Sequence, residues 1–337
     1  MTPSSFRVTG IVCLLGFLFA ATPIAYADEQ TAAVFKALGT AATVPGMPPV
    51  TDPTNLYSEQ MAGKLSPSVA NDLPRVYVPH VRSNDVYVID PATFKVVDKF
   101  KVGVNPQHIE PAWDLRTLWV VNNDERGKNG SLTPIDPMTG KAGKPIPVDA
   151  PYNMYFTPDG KSAIVIAEAR RRLDFRDPHT FALQFTIREP QYKGINHADF
   201  SIDGRYAIFT CEFDGGLAKI DLVKRKVSGF LSLTKGHMPQ DIRISPDGKV
   251  FYVADMKADG VFFVDGDVFK EIGFIHTGIG AHGIYPSCDG KMLYVSNRGS
   301  NRIYGKPKGK GSIAVIDFAT QGRDHLATAR RWQSRHG

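Results

Sequence analysis

Ready-made catalytic motifs are missing from this chain of 337 residues: it has no paired Cys-x-x-Cys, no His-Glu-x-x-His and no glycine-rich phosphate loop. That excludes the dithiol, zinc and nucleotide sites that spacing alone reveals. Cysteine is scarce, with three in all. A sustained 3.6-residue apolar period is also missing, which argues against a helical repeat. The one apolar stretch, Ile11 to Ala21, is short for a membrane span. Charge of one sign is modest. The formal net charge is +6, of which Arg7 contributes one unit and the last residues, with Arg323, Arg330, Arg331 and Arg335 against Asp324, contribute three. The remaining body carries about +2, too little for a nucleic-acid-binding surface.

Repetition is abundant. An aspartate, usually followed by glycine, lies in a turn between apolar runs at Asp72, Asp114, Asp159, Asp203, Asp247 and Asp289, at spacings of 42, 45, 44, 44 and 42 residues. After each comes a β-rich run: RVYVPH, TLWVVN, SAIVIAE, YAIFTCE, VFYVAD and MLYVSN. Each unit then has a second run ending in aspartate: VYVID, LTPID, LDFRD, LAKID, VFFVD and IAVID. The runs alternate with period two, as strands do. Four short strands per 40–45 residues is the spacing of a β-propeller blade, and such blades bury their faces only by stacking around an axis. The fold class expected is therefore all-β: a β-propeller with six recognisable four-stranded blade units, read as a truncated seven-bladed propeller.

Four segments follow. Residues 1–27 read as a secretory signal peptide, with Ala25-Tyr26-Ala27 as the cleavage site. This places the protein in the periplasm of a bacterium or outside it, with no membrane span after cleavage. Residues 28–70 are an irregular lead-in, with a short helix near Thr31 to Leu38. Residues 71–320 are the propeller. Residues 321–337 are an aberrant basic tail: after IAVIDFAT a fourth strand is due and does not come, as a shifted reading frame would produce. Cys13 leaves with the signal. Cys211 and Cys288 fall at opposite ends of different blades, too far apart for the ~7 Å limit between bonded Cα atoms, so both are expected unpaired.

The runs SPDGKVFYVAD and SCDGKMLYVSN, with the preceding Pro239-Gln240-Asp241-Ile242, resemble the YVTN family of β-propeller repeats over residues 72–320. That resemblance implies the fold; propellers of this kind host binding modules, surface proteins and enzymes. The segments INHADFSIDGRYAIFT and GAHGIYPSCDG are similar to the haem-binding propeller domain of periplasmic nitrite reductases, which implies histidines over the channel mouth. The Cys-x-x-Cys-His attachment motif of the cytochrome domain in those enzymes is absent.

The repeat register assigns residues to faces. First strands start, and second strands end, at the same channel mouth. This puts five of the nine histidines on one face: His80, His108, His197, His237 and His282. With Asn196, Gln240 and Asp255 they form the candidate ligand-binding set. Two readings stand side by side. One is a pocket for a small ligand, haem-like cofactor or metal, with histidine as ligand or acid–base group. The other is a polar lining that holds water and satisfies strand-end amides. Loop cations on the same face, among them Arg82, Arg126, Arg170, Arg172, Lys257 and Arg298, would steer an anionic partner. The turn aspartates read as structural. The function expected is a monomeric binding or interaction protein that takes a small ligand or a protein partner at the channel mouth. The alternatives are a cofactor- or metal-dependent redox enzyme and a lactonase-type hydrolase at the same place.

Overall fold

Six antiparallel sheets succeed one another in the computed structural model, which describes residues 43–188, 191, 193–304 and 306–320. The signal peptide, the helix near Thr31 and the basic tail expected from the sequence lie outside the described residues. The first sheet holds β1 (Val76–His80), β2 (Asp85–Asp90) and β3 (Lys95–Lys101). The second holds β4 (Pro106–Pro111), β5 (Leu118–Asn122), β6 (Ser131–Ile135) and β7 (Ile146–Pro147). The third holds β8 (Asn153–Phe156), β9 (Ala163–Ala167), β10 (Arg172–Arg176) and β11 (Leu183–Arg188). The fourth holds β12 (Ile195–Phe200), β13 (Tyr206–Cys211), β14 (Gly216–Asp221) and β15 (Lys226–Ser232). The fifth holds β16 (Pro239–Ile244), β17 (Val250–Asp255), β18 (Gly260–Asp265) and β19 (Lys270–His276). The sixth holds β20 (Ala281–Pro286), β21 (Met292–Asn297) and β22 (Ser312–Asp317). Every sheet is ordered as a simple meander. The protein is a β-propeller, as the repeat implied. Four sheets are four-stranded; among the described residues the first lacks an inner strand and the sixth an outer one.

The burial pattern explains why these runs are strands. In the second to fifth sheets the middle strands are covered on both faces, since each of these sheets lies between two others, whereas β21 of the sixth sheet alternates buried and exposed residues. β17, VFYVAD, is buried at every position. Outer strands such as β3, KVVDKFK, are exposed almost throughout and carry the charge. Five apolar clusters fill the gaps between successive sheets. Between the fourth and fifth, for example, Ile208 and Leu217 meet Ile242, Phe251 and Phe262. Phe156 and Phe200, at the ends of the inner strands β8 and β12, are only half-buried. Cys211 is a thiol inside one of these clusters and Cys288 is an exposed thiol, with no disulfide between them.

The turn aspartates are structural, for a reason visible at four of the six repeats. Asp203 accepts from the Ser201 hydroxyl at 2.7 Å and from the Arg205 amide at 3.0 Å. Asp159, Asp247 and Asp289 hold the equivalent bonds. The next residue is a glycine with positive φ, +72° at Gly204, a conformation glycine adopts without a Cβ penalty. Leu115 fills that position after Asp114, at φ 61°.

The lead-in is irregular, with two short 3-10 turns, Ser58–Gln60 and Pro67–Val69. It crosses the face opposite the candidate mouth and ties several sheets together. The Val44 amide donates to the Asp203 carbonyl at 3.1 Å, and Lys161 donates to the Pro45 carbonyl at 2.7 Å. Leu56 bonds the Pro246 carbonyl at 2.8 Å, Asn55 the Asp289 carbonyl at 3.2 Å, and Leu73 the Pro137 carbonyl at 3.0 Å. Tyr57 is buried and donates to the Ile244 carbonyl. Among the described residues no helix is long and apolar enough to cross a membrane.

Replacing Phe251, fully buried between the fourth and fifth sheets, by alanine should cost about 3–5 kcal/mol in urea denaturation. The same change at Phe94, 86% exposed in a turn, should stay within about 0.5 kcal/mol. Tyr57→Phe leaves the Ile244 carbonyl without its donor and should cost about 1–2 kcal/mol. An unchanged unfolding midpoint for Tyr57→Phe would show that the lead-in adds nothing to stability.

Candidate functional site

Each inner strand of a propeller pairs on one side only, so its other edge faces the channel and must find polar partners there. Side chains of adjacent inner strands supply them. Asp199 of β12 accepts from the Ile244 amide of β16 at 2.8 Å, and Asp241 of β16 accepts from the Ile284 amide of β20 at 3.1 Å. Arg243 donates to Asp241 at 2.8 Å. The channel is therefore polar along its length while the gaps between sheets are apolar.

At the mouth the structure brings three rings together. His108 lies 5.0 Å from His197 and 5.3 Å from Tyr152, centroid to centroid, and Tyr152 lies 5.9 Å from His197, all edge to face. His282 stands close enough for its charge to be felt by both imidazoles. His108 keeps some open surface towards the channel but is ringed by protein. Burial, and then neighbouring imidazoles and Arg243, pull His108 and His197 down to about 3. Burial and Arg298 pull His282 to about 4. All three are neutral at neutral pH.

The hydrogen-bond pattern around His197 selects its tautomer. Asn153 is oriented by the Met154 amide, which donates to its Oδ1 at 2.8 Å. Asn153 Nδ2 then donates to the Tyr155 hydroxyl oxygen at 3.0 Å, which also accepts from the Ala198 amide at 3.2 Å. The Tyr155 proton is left to point at His197 Nδ1, 3.4 Å away, with Asn153 Nδ2 at the same distance. Asp241 Oδ1 also stands 3.9 Å from Nδ1, beyond hydrogen-bond reach and already taken by the Ile242 amide and Arg243, so the nearer Tyr155 and Asn153 make Nδ1 the acceptor and put the proton of the neutral ring on Nε2. His197 is 7% exposed, and Nε2 has no partner.

A second group of buried polar atoms adjoins the rings. Burial, with Glu212 and Glu125 behind it, pushes Glu168 up to about 8, so its carboxyl is protonated at neutral pH. Its Oε1 has no partner. Glu212 is also raised by burial, and it accepts from Asn196 Nδ2 at 3.0 Å. Burial, and then the charges of Glu168 and Glu212, raise the Tyr152 hydroxyl well above its ordinary value.

The other residues of the sequence-derived set have different places. Asn196 is buried, accepts from the His197 amide at 2.7 Å and holds Glu212. Gln240 is buried and donates to the Met238 carbonyl at 3.3 Å. Asp255 is buried and accepts from the Met238, Lys257 and Ala258 amides, which ties two loops. His80 is engaged inside its own sheet, with Nδ1 at 3.3 Å from Asp85 and its ring edge-on to Tyr87. His237 is exposed on the loop before β16, beside Gly215 and Asp255. Two of the loop cations are engaged by neighbours: Arg170 and Arg172 reach Asp149 at 3.2 and 2.9 Å. Among the described residues no three His, Cys, Asp or Glu side chains converge as ligands for a metal ion.

Reading the sequence missed a second polar ring deeper in the channel. Glu110, Asp199, Arg243 and Tyr285 line a cavity of about 400 Å³ that Met47, Leu56, Tyr57 and Gln60 of the lead-in help to wall. Burial pushes Glu110 up to about 7. The signal was present: along β4, β12 and β16 these residues stand two positions beyond His108, His197 and Asp241, on the same face of a period-two strand.

The site belongs to a β-propeller with a closely packed polar channel mouth, and comparison with known proteins gives the family. The chain matches the YNCE-like beta-propeller family over residues 31–332 and belongs to it. No curated protein matches it. Among solved structures it is similar to hydrazine synthase of Kuenenia stuttgartiensis, at 18% identity over 76% of this chain and 78% of that one, with a TM-score of 0.60. It is also similar to a Bacteroides fragilis protein provisionally assigned as a 6-phosphogluconolactonase, at 19% identity over 74% and 81%, TM-score 0.57. A protein of unknown function from Desulfotomaculum acetoxidans matches at 13% identity over 74% and 81%, TM-score 0.57. At these identities the likeness is one of fold.

The depressed imidazoles have a consequence for acid stability. Unfolding returns each histidine to its ordinary value near 6.5, so the unfolded chain binds more protons between about pH 3 and 6.5. The contribution is fully present above 6.5 and is lost as pH falls towards the folded values. His108→Gln should flatten the fall of stability between pH 6.5 and 4.5, followed by urea midpoints. A slope identical to the wild type would place a charged imidazole in the folded state.

Proposed function

We propose that this protein is a periplasmic or secreted β-propeller that binds a small polar ligand at the channel mouth. The observation that carries the reading is the ring cluster of His108, Tyr152 and His197, with a partnerless buried Nε2 at its centre. A lining that served only packing would satisfy its buried donors within the protein. Here Asn153 donates to Tyr155, and Asn196 bonds Thr210 and Glu212, while His197 Nε2 is left over on a ring that packs against Tyr152. Loop cations at the rim, such as Arg126 and Lys257, remain exposed for contact with a partner protein.

A second reading has its own support. A neutral imidazole and a protonated carboxyl at one channel mouth are the components of an acid–base pair, and His197, which packs against Tyr152, and Glu168, whose charge acts on the Tyr152 hydroxyl, are two such groups. That pair would suit hydrolysis of a lactone, the activity assigned to the Bacteroides fragilis neighbour. Release of acid from a simple sugar lactone, abolished by His108→Gln, would establish it. Equal rates with and without protein would dismiss it.

The test of binding is a fragment set of mixed charge, followed through the imidazole resonances of labelled protein. Fragments that move the signals of His108, His197 and His282 saturably, and lose affinity in His108→Ala, are expected. Movement confined to His179 or His276, which lie away from the mouth, would put the ligand elsewhere.

A further inference from the structure

Among the side chains at the mouth that are more than nine-tenths buried and carry a polar atom with no partner in the structure, His197, at Nε2, and Glu168, at Oε1, are the two titratable ones. A buried polar group left unpaired is costly, so a ligand that satisfies both is favoured there. Their chemistry constrains what binds. His197 Nε2 carries the proton, because Tyr155 and Asn153 direct their hydrogens at Nδ1. It needs an acceptor. Glu168 is a neutral acid and offers a donor and an acceptor. Tyr152 links the two: its ring lies 5.9 Å from that of His197, its amide bonds the Ile166 carbonyl two residues before Glu168, and its hydroxyl feels the charge of Glu168.

Charge narrows the choice. An anion would accept from His197 but would also approach Glu125, Glu212 and Asp241. A cation would meet the Nε2–H donor head-on, and the carboxylate best placed to attract it, Glu212, is already held by Asn196, with Arg298 close by. A hydroxyl group both donates and accepts, and a ring bearing several hydroxyls also presents C–H faces to Tyr152 and His108.

We propose, resting on the channel-mouth reading above, that the ligand is a small neutral polyhydroxylated molecule of the sugar class, one oxygen of which accepts from His197 Nε2–H while another bonds Glu168. Glu168 and His197 are the specificity-determining pair, and Tyr155 with Asn153 are positioning residues that set the tautomer of His197.

The experiment uses the whole protein, labelled with nitrogen-15, and four probes: D-glucose and myo-inositol as neutral polyols, gluconate as an anion and choline as a cation. The free protein is expected to show His197 protonated on Nε2; a proton found on Nδ1 would overturn the proposal without any variant. One of the neutral polyols should then shift the Nε2 signal saturably. His197→Ala should weaken that binding by about tenfold, the equivalent of one hydrogen bond, and Glu168→Ala should do the same, with folding checked by the rest of the spectrum. His276→Ala, on an exposed outer strand, should leave it unchanged. Shifts with gluconate or choline and none with the polyols would sink the sugar class yet leave a ligand site at the mouth. Polyol binding of full strength in both His197→Ala and Glu168→Ala would overturn the assignment of the pair.

Discussion

The innermost strand of every sheet has one edge without a ladder, and the rest of the molecule is arranged around that fact. Backbone groups along this edge are buried by the neighbouring sheets yet denied a strand partner. Aspartates answer the need across the gap: Asp199 reaches the amide of Ile244 and Asp241 that of Ile284, each in the next sheet. A carboxylate that accepts from the neighbouring sheet fixes the angle between the two, and it brings charge to the axis. Arg243 follows to balance Asp241.

A polar axis inside an apolar shell sets the chemistry of the mouth. Imidazoles and carboxyls there are surrounded by protein, so burial favours their neutral forms. The histidines move down and Glu110 and Glu168 move up for the same reason. The outcome is a set of neutral donors and acceptors at a pH where exposed glutamates would be charged. Such a set suits hydrogen bonding to a small polar molecule better than attraction of a distant ion.

The two ends of the channel are built differently. At one end, loops between strands leave the ring cluster of His108, Tyr152 and His197. At the other, the lead-in bonds turns of five different sheets and places Tyr57 against Ile244. These ties join sheets that are not neighbours in sequence to the segment that precedes the propeller. They add to the five apolar clusters, each of which joins only a successive pair.

The repeat decided much in advance. Apolar alternation and a turn aspartate every 42–45 residues define strands, their order and which strand of each unit is innermost, because local backbone chemistry repeats with the sequence. That register also placed His108, His197 and His282 at one mouth. It could not separate them from His80 and His237, which belong to the same face but are drawn to Asp85 and to an exposed loop. Glu110, Asp199 and Arg243 were legible two residues along the same strands. Tyr57 was not, since the lead-in has no period to read and its position depends on which turns it meets. The tautomer of His197 and the protonation of Glu168 are decided only by the tertiary structure. Each depends on groups from different sheets, and the distance across the channel between them has no counterpart in the sequence.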